Sequence, residues 1–380
     1  MSDDFPGAIP PPKPTKHDVS DRYKQGGHLA LVRDTKQDGK IIKPGSGIET
    51  SPSRVWNERE KRMAVAAAGH LEFGVQWLDD SLGGIVPSDF ILVGAESGAG
   101  KTELARYIAM HNSSIGKRPF YLALEADEIE IERRTKWGIL LGLIEKNAVN
   151  EAQGRSIVRK LQFLDWMYGR IDNITGPFER TADEQTSRIL KGMRTFYKVK
   201  DFGLDELNAV FDEAASESDM VVIDHLHYFD LKEDNENRAQ GLIVRRIRQL
   251  QQKYGKAIVA VAHTRKAVER SDRLVPSKDD FLGSKLVIGE STKAVMIAPA
   301  HDQPRYEEPF RWKTYLAPLK CRVDGSRARF VGLCTFDARR NQYEKRYQIG
   351  KLVDRGEKFV PLTNKEMPVW TPEDACNDLE

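Results

Sequence analysis

Ala95-Glu96-Ser97-Gly98-Ala99-Gly100-Lys101-Thr102 is the stretch that decides how this chain is read. An apolar run at 90–93 precedes it at strand length, and 101–111 follows with helical periodicity. The octet keeps the Walker A spacing, except that Ala95 stands at the first glycine position, with Gly94 just before it. Each kept residue has a physical task. Gly98 and Gly100 let the backbone wrap closely, so that its N–H groups point at phosphate oxygens. The helix that follows adds its positive N-terminal end. Lys101 reaches terminal phosphates, and Thr102 offers a hydroxyl to Mg2+. A glycine-rich turn with a chance lysine is the plainer alternative, but a strand before and a helix after argue against it.

Outward from this loop the chain alternates. Apolar runs at 119–124, 220–223, 257–262 and 294–298 read as strands, and 239–254 reads as a helix. The charged region 128–196 reads as several helices, with a possible helical insertion at about 147–194. Such alternation gives an α/β fold with a mostly parallel sheet flanked by helices. From 313 to 347 the segments TYLAPLK, ARFVGLCTF and YEKRYQI suit antiparallel strands added at the sheet edge. Segment 71–87 reads as a lead-in loop and 57–68 as a helix. Residues 1–60, rich in Pro, Gly, Lys and Asp, read as a polar, mobile N-terminal arm, with a Pro-Pro-Pro spacer at 10–12 and one apolar run at 29–32. The expected organisation is therefore an arm over 1–60, an ATPase core over 61–350, and an acidic C-terminal tail over 351–380.

Composition narrows the function classes. A chain of 380 residues with 40% hydrophobic content suits one large core plus extensions. No run of about 18 apolar residues marks a membrane span, and the first residues carry no secretory signal. Cys321, Cys334 and Cys376 make neither a metal-ligand spacing nor a disulfide framework, so a cytoplasmic setting is expected. A net charge of +2 does not announce a nucleic-acid binder, but a motor needs only local basic loops.

Chemistry-bearing residues sit at strand ends. Met220-Val221-Val222-Ile223-Asp224 ends in a carboxylate that can hold Mg2+ at the sheet's C-terminal edge. Glu125 closes PFYLALE; a glutamate beside the P-loop strand can orient and deprotonate the attacking water. His263 closes IVAVAH and can sense the terminal phosphate. His225 and His227 flank the Asp224 loop, and their spacing lacks the cysteines or the HExxH pattern of a zinc site.

The arrangement over about 71–350 resembles the RecA-like P-loop ATPases, and within them the DnaB-like replicative helicases and their KaiC-like relatives. GGIVPSDFILVGAESGAGKTELARYIA looks like the opening of a DnaB helicase domain. YLALEADEIEIERR is similar to the second strand whose glutamate is the catalytic base, which places that role on Glu125. SDMVVIDHLHYFD resembles the metal-holding strand and its trailing loop, and His263 stands where KaiC-like members carry histidine. Lys320-Cys321-Arg322 resembles the Lys-x-Arg pair inserted into a neighbour's active site, where a guanidinium stabilises charge on the transferring phosphoryl group.

The resemblance implies ATP and Mg2+ as cofactors, a homo-oligomer in the form of a hexameric ring, and single-stranded DNA as the track. The stretch after His263 would face that track with Arg265, Lys266 and Arg270, and with Gly283, Ser284 and Lys285 as the preferred contact point. Arg245, Arg246 and Arg248, on the preceding helix, suit subunit contacts or solvent. Replication proteins would bind through the arm or the tail. The helical N-terminal domain usual in the family has no counterpart in the polar arm. Two other readings stay open: a RecA- or RadA-like recombination or annealing ATPase, and a KaiC-like regulatory ATPase acting on protein partners.

Overall fold

In a computed structural model of the chain, the described residues are 58–60, 62–64, 66–67, 69–198, 200–230, 236–264, 273–281, 284–303 and 310–372. Two units separate, Met1–Lys61 and Arg62–Glu380, and the architecture below is that of the second. The expected features at 10–12 and 29–32 lie outside the described residues. Those described within 58–67 are helical.

The first half of the core runs α1 (Gln76–Leu82), β1 (Phe90–Ala95), α2 (Lys101–Ser114), β2 (Pro119–Ala123) and α3 (Glu130–Lys146). Helices α4 (Glu151–Val158), α5 (Phe163–Met167) and α6 (Asp172–Ile189) follow, then β3 (Arg194–Tyr197), α7 (Leu204–Ala214) and β4 (Met220–Asp224). The second half runs α8 (Glu236–Tyr254), β5 (Ala257–His263), α9 (Ser284–Glu290) and β6 (Lys293–Pro299). It closes with β7 (Arg311–Cys321), β8 (Val331–Asp337), β9 (Gln342–Val353) and β10 (Lys358–Pro361).

All ten strands make one sheet, in the order β10-β9-β8-β7-β6-β1-β5-β4-β2-β3. From β6 to β3 neighbours are parallel. From β6 to β10 they are antiparallel. Every residue of β1 is buried because the sheet is covered on both faces. Ile91 and Val93 pack with Trp77, Leu104 and Ile108 on one face. Phe90 and Leu92 pack with Ile243, Ile247 and Phe281 on the other. The uninterrupted apolar runs of the sequence are this two-sided burial seen in one dimension.

A third cluster holds the helical region together. Trp137, Leu140 and Ile144 of α3 pack with Val158 and Ala182 of α4 and α6. That region is tied to the antiparallel edge. Asn341 donates from Nδ2 to the Thr135 carbonyl at 2.8 Å, and Arg339 donates to Glu145 Oε1 at 2.8 Å. Contact is close because α3 presents Gly138 and Gly142; a Cβ on Gly138 would lie 2.2 Å from Asn341 Nδ2.

Four expectations are corrected. Segment 71–87 is not only a loop: it contains α1, and Leu71 bridges Ile85. Trp77 explains this, since it is fully buried and donates from Nε1 to the Leu316 carbonyl at 2.8 Å. The region 128–196 is not wholly helical, because 194–197 pair with β2 as the edge strand β3. The stretch expected as a tail from 351 continues in β9, and β10 pairs back on it. Leu362 is buried, and Trp370 lies 5.9 Å from Trp77 between ring centroids. Finally, the glutamate strand β2 is not beside β1, since β5 and β4 stand between them. Among the described residues no helix is long and apolar enough to cross a membrane.

Asp79 gives a pH signature. Its Oδ1 accepts the Phe73 N–H at 2.7 Å. Burial nonetheless raises its carboxyl to about 7, against the pull of that bond. The folded state thus keeps a proton that the unfolded chain releases above its ordinary carboxylate pKa. Stability should therefore fall as pH rises from about 4 through about 7. Asp79→Asn keeps an acceptor oxygen and removes the titration. Melting temperatures across that window should decline less in the variant; an unchanged decline would assign the effect to another group.

Candidate nucleotide site

The parallel strands deliver their C-terminal ends to one edge, and the chemistry predicted from sequence gathers there. The glycine loop leaves β1 and returns as α2. Gly98 and Gly100 have φ of 78° and 91°, and a Cβ on either would meet nothing within 4 Å. The backbone angle, not crowding, asks for glycine at both. Ala95 is still in the strand, paired with His263 on one side and Ile297 on the other, so the first position needs no glycine. Gly94 is required by packing instead: a Cβ there would lie 2.3 Å from Phe281 Cζ. Glu96, Ser97 and Gly98 are exposed, whereas Ala99 and Gly100 are half-buried.

Lys101 is buried at the helix start. Burial lowers its pKa, while the charges of Glu125 and Asp224 push it back up. Asp224 is 1% exposed, and Thr102 donates from Oγ1 to its Oδ1 at 3.3 Å. Tyr121 donates from its hydroxyl to Oδ2 at 2.7 Å. Burial drives the Asp224 carboxyl up to about 6, opposed by the Tyr121 bond and reinforced by Glu125. A buried carboxylate beside a threonine hydroxyl is a hard-oxygen pair that fits a divalent cation. Thr102 and Asp224 would hold Mg2+, which would supply positive charge to offset that of phosphates. Glu125 is exposed just past β2, and the Tyr228 side chain bonds to it.

His263 closes β5 beside the start of the glycine loop. Its ring lies 3.9 Å from that of His225 and 4.8 Å from that of His227, between centroids. Burial first, and Lys101 second, hold His263 down to about 4. Next to the glycine loop opens a cavity of about 830 Å3, walled by Gly98, Gly100, Trp137, Trp312 and Phe336. Its volume suits a small-molecule site. Trp312 is 51% exposed and stacks on Phe336 at 6.0 Å and 11°.

The other sequence-derived candidates lie elsewhere. Arg265, Lys266, Arg270 and Gly283 fall outside the described residues. Ser284 and Lys285 begin helix α9 instead of lying in a loop. Thr264 and Phe281 bridge, so the basic stretch leaves and rejoins the sheet at the edge that carries the glycine loop. Lys320 and Arg322 are not gathered with the rest. Cys321 between them pairs with Lys293, at the start of β6 and toward the opposite edge. Lys320 donates from Nζ to the carbonyls of Ile288 and Gly289, at 2.5 and 3.0 Å, and Arg322 is exposed.

Residues 57–269 match the family described as AAA domain. The chain belongs to the AAA domain family. The P-loop, Thr102 and Asp224 all fall within the matched span of this AAA domain protein, whose ATPase chemistry they suit. Its RecA-like fold is similar to a separately solved ATPase domain, with TM-score 0.57 and 15% identity, covering 83% of this chain and 100% of that one. It is also similar to a DnaB-like replicative helicase, solved for its interactions with primase, with TM-score 0.52 and 14% identity, covering 83% and 68%. At such identity the likeness is one of fold. No curated protein sequence matches.

Tyr121, Tyr228 and Trp312 were not among the sequence candidates. Tyr121 sits mid-strand in an apolar run, where its hydroxyl gives no pattern of its own. Removing that hydroxyl tests its role: Tyr121→Phe should leave the fold intact and raise the Mg2+ concentration for half-maximal ATP hydrolysis several-fold. An unchanged Mg2+ requirement would limit Tyr121 to packing.

Proposed function

We propose that this chain is an ATP-hydrolysing motor that works as a ring of identical subunits on single-stranded DNA, in the manner of a DnaB-like replicative helicase. ATP sits with its phosphates on the loop 95–102 and its nucleoside in the cavity between Trp137 and Trp312. Lys101 binds the terminal phosphates, and Thr102 and Asp224 hold Mg2+. Glu125, oriented by Tyr228, takes the proton of the attacking water.

One observation carries the ring reading. The glycine loop starts level with Ile297 of β6, whereas Lys320 and Arg322 flank the residue that pairs with Lys293. At about 3.3 Å per residue, these levels differ by about 13 Å along the sheet. A short strand-end segment does not bring Arg322 back to its own phosphates. It is free to meet the site of a second copy, where a guanidinium in trans makes hydrolysis depend on assembly. Burial lowers the Lys320 pKa first, and Arg322 and Arg248 lower it further against the pull of Glu290, so three cations lie near one another on this face.

The DNA reading is supported by the basic residues that the sequence carries after His263. Thr264 and Phe281, on either side of most of them in sequence, bridge beside the nucleotide site. A DnaB-like replicative helicase and a separately solved ATPase domain share the fold.

Steady-state ATP hydrolysis should rise strongly with single-stranded DNA and much less with duplex. Arg322→Ala should lower turnover about a hundredfold or more while nucleotide still binds. An ATPase indifferent to every nucleic acid would remove the DNA track and favour a regulatory ATPase acting on proteins.

A further inference from the structure

The two cations of Lys320-Cys321-Arg322 stand two residues apart, yet their surroundings differ. Lys320 pairs with Ala294 and Cys321 with Lys293, and the register shifts between Ala294 and Val295. Val295 pairs with Pro318, so Leu319 is the extra residue. A bulge of this kind re-aims the side chain beside it.

Lys320 is aimed at α9. Its Nζ donates to the carbonyls of Ile288 and Gly289, in the last turn of that helix, at 2.5 and 3.0 Å. The final carbonyls of a helix have no partner within it and carry the negative end of its dipole. An ammonium suits both needs. It has three N–H donors, and two of them are engaged here. The charge of Glu290, at the end of the same helix, attracts it as well. The helix itself is fixed to the core. Val287 is buried, and a Cβ on Gly241 of α8 would lie 2.4 Å from Leu286 Cδ2.

Arg322 is exposed, and its backbone makes the attachment: its N–H donates to the Thr292 carbonyl at 2.9 Å. Thr292 is held in turn. Its hydroxyl donates to Asp89 Oδ1 at 2.8 Å, and Lys293 donates to Asp89 Oδ2 at 2.7 Å. Asp89 and Lys293 are both buried. The backbone of Arg322 thus stands on a rigid footing, while its side chain is left exposed. For Lys320 to reach the phosphates of a second copy, it would have to leave two carbonyls of its own subunit, and losing those charge-assisted bonds opposes the move. The exposed Arg322 meets no such obstacle, and its planar fork suits phosphate oxygens.

We propose that Lys320 serves its own subunit: fastened to the end of α9, it fixes the strand end from which Arg322 reaches a neighbour's phosphates, and Arg322 alone of the two touches them. This rests on the trans-acting Arg322 of the reading above. Lys320 is then a positioning residue, and it acts on turnover only through Arg322.

The test is a double-mutant cycle on ATP turnover in the full-length protein, with Lys320→Met, Arg322→Ala and the two combined, read with radiolabelled ATP so that slow variants register. Lys320→Met should lower kcat roughly tenfold with the KM for ATP held, because a displaced catalytic group slows the chemical step and residue 320 touches no nucleotide. In the Arg322→Ala background the same substitution should lower kcat no further. A further several-fold loss there would put the Lys320 ammonium on a phosphate and overturn the proposal. So would a Lys320→Met that turns over like the parent. Lys320→Gln, which keeps an N–H donor without the charge, runs the same cycle if Lys320→Met does not fold. An Arg322→Ala that turns over like the parent instead removes the trans-acting arginine itself, and the positioning role with it.

Discussion

Asp224 is a carboxylate with almost no access to water, and the site is built around the cost of keeping it there. Burial, reinforced by Glu125, pushes its proton affinity up toward neutrality. Three neighbours oppose that shift: the Tyr121 hydroxyl, the Thr102 hydroxyl and the Lys101 ammonium. They come from β2 and from the first turn of α2, so the carboxylate ties the strand order of the sheet to the geometry of the glycine loop. A divalent cation at the same oxygens would complete what the hydroxyls begin. The most buried charged group near the phosphates is thus also the one that most requires a ligand.

The sheet gives the site its direction. Parallel strands bring β1, β2, β4 and β5 to one edge with their loops, which is where open α/β sheets bind ligands. The antiparallel extension does the opposite. Because β7 runs back along β6, the residues that follow its paired stretch emerge toward the far edge. One strand reversal therefore separates Lys101 from Arg322 within a chain, as the proposed shared site requires. The helical region is held against the same antiparallel edge through Asn341 and Arg339, and so forms one wall of the cavity beside the glycine loop.

Much of this was legible in the sequence, and the failures have physical causes. The glycine loop was readable because its spacing is fixed by backbone angles that few residues adopt, at Gly98 and Gly100. The inner strands were readable because two-sided burial leaves unbroken apolar runs. The short edge strand β3 was hidden: its burial runs from exposed to half-buried, so no alternation marks it off from the charged helices before it. Helix α1 was hidden by the loop-forming residues around it, although Trp77 within it is fully buried. Strand order is not a sequence property, which is why Glu125 was expected beside β1 when two strands intervene. His225 and His227 read as a pair beside Asp224, far in sequence from His263; only the pairing of β4 with β5 makes the three one cluster.

If a working site is shared between two copies of the chain, as proposed, mixing two inactive variants should restore it. Lys101→Ala supplies an intact Arg322 with a dead phosphate loop, and Arg322→Ala supplies the reverse. Combined after dissociation and allowed to reassemble, the two variants should recover part of the parent's ATP hydrolysis, because some interfaces then hold one good half from each. A mixture that hydrolyses no more than the sum of its inactive parts would contradict a site completed in trans.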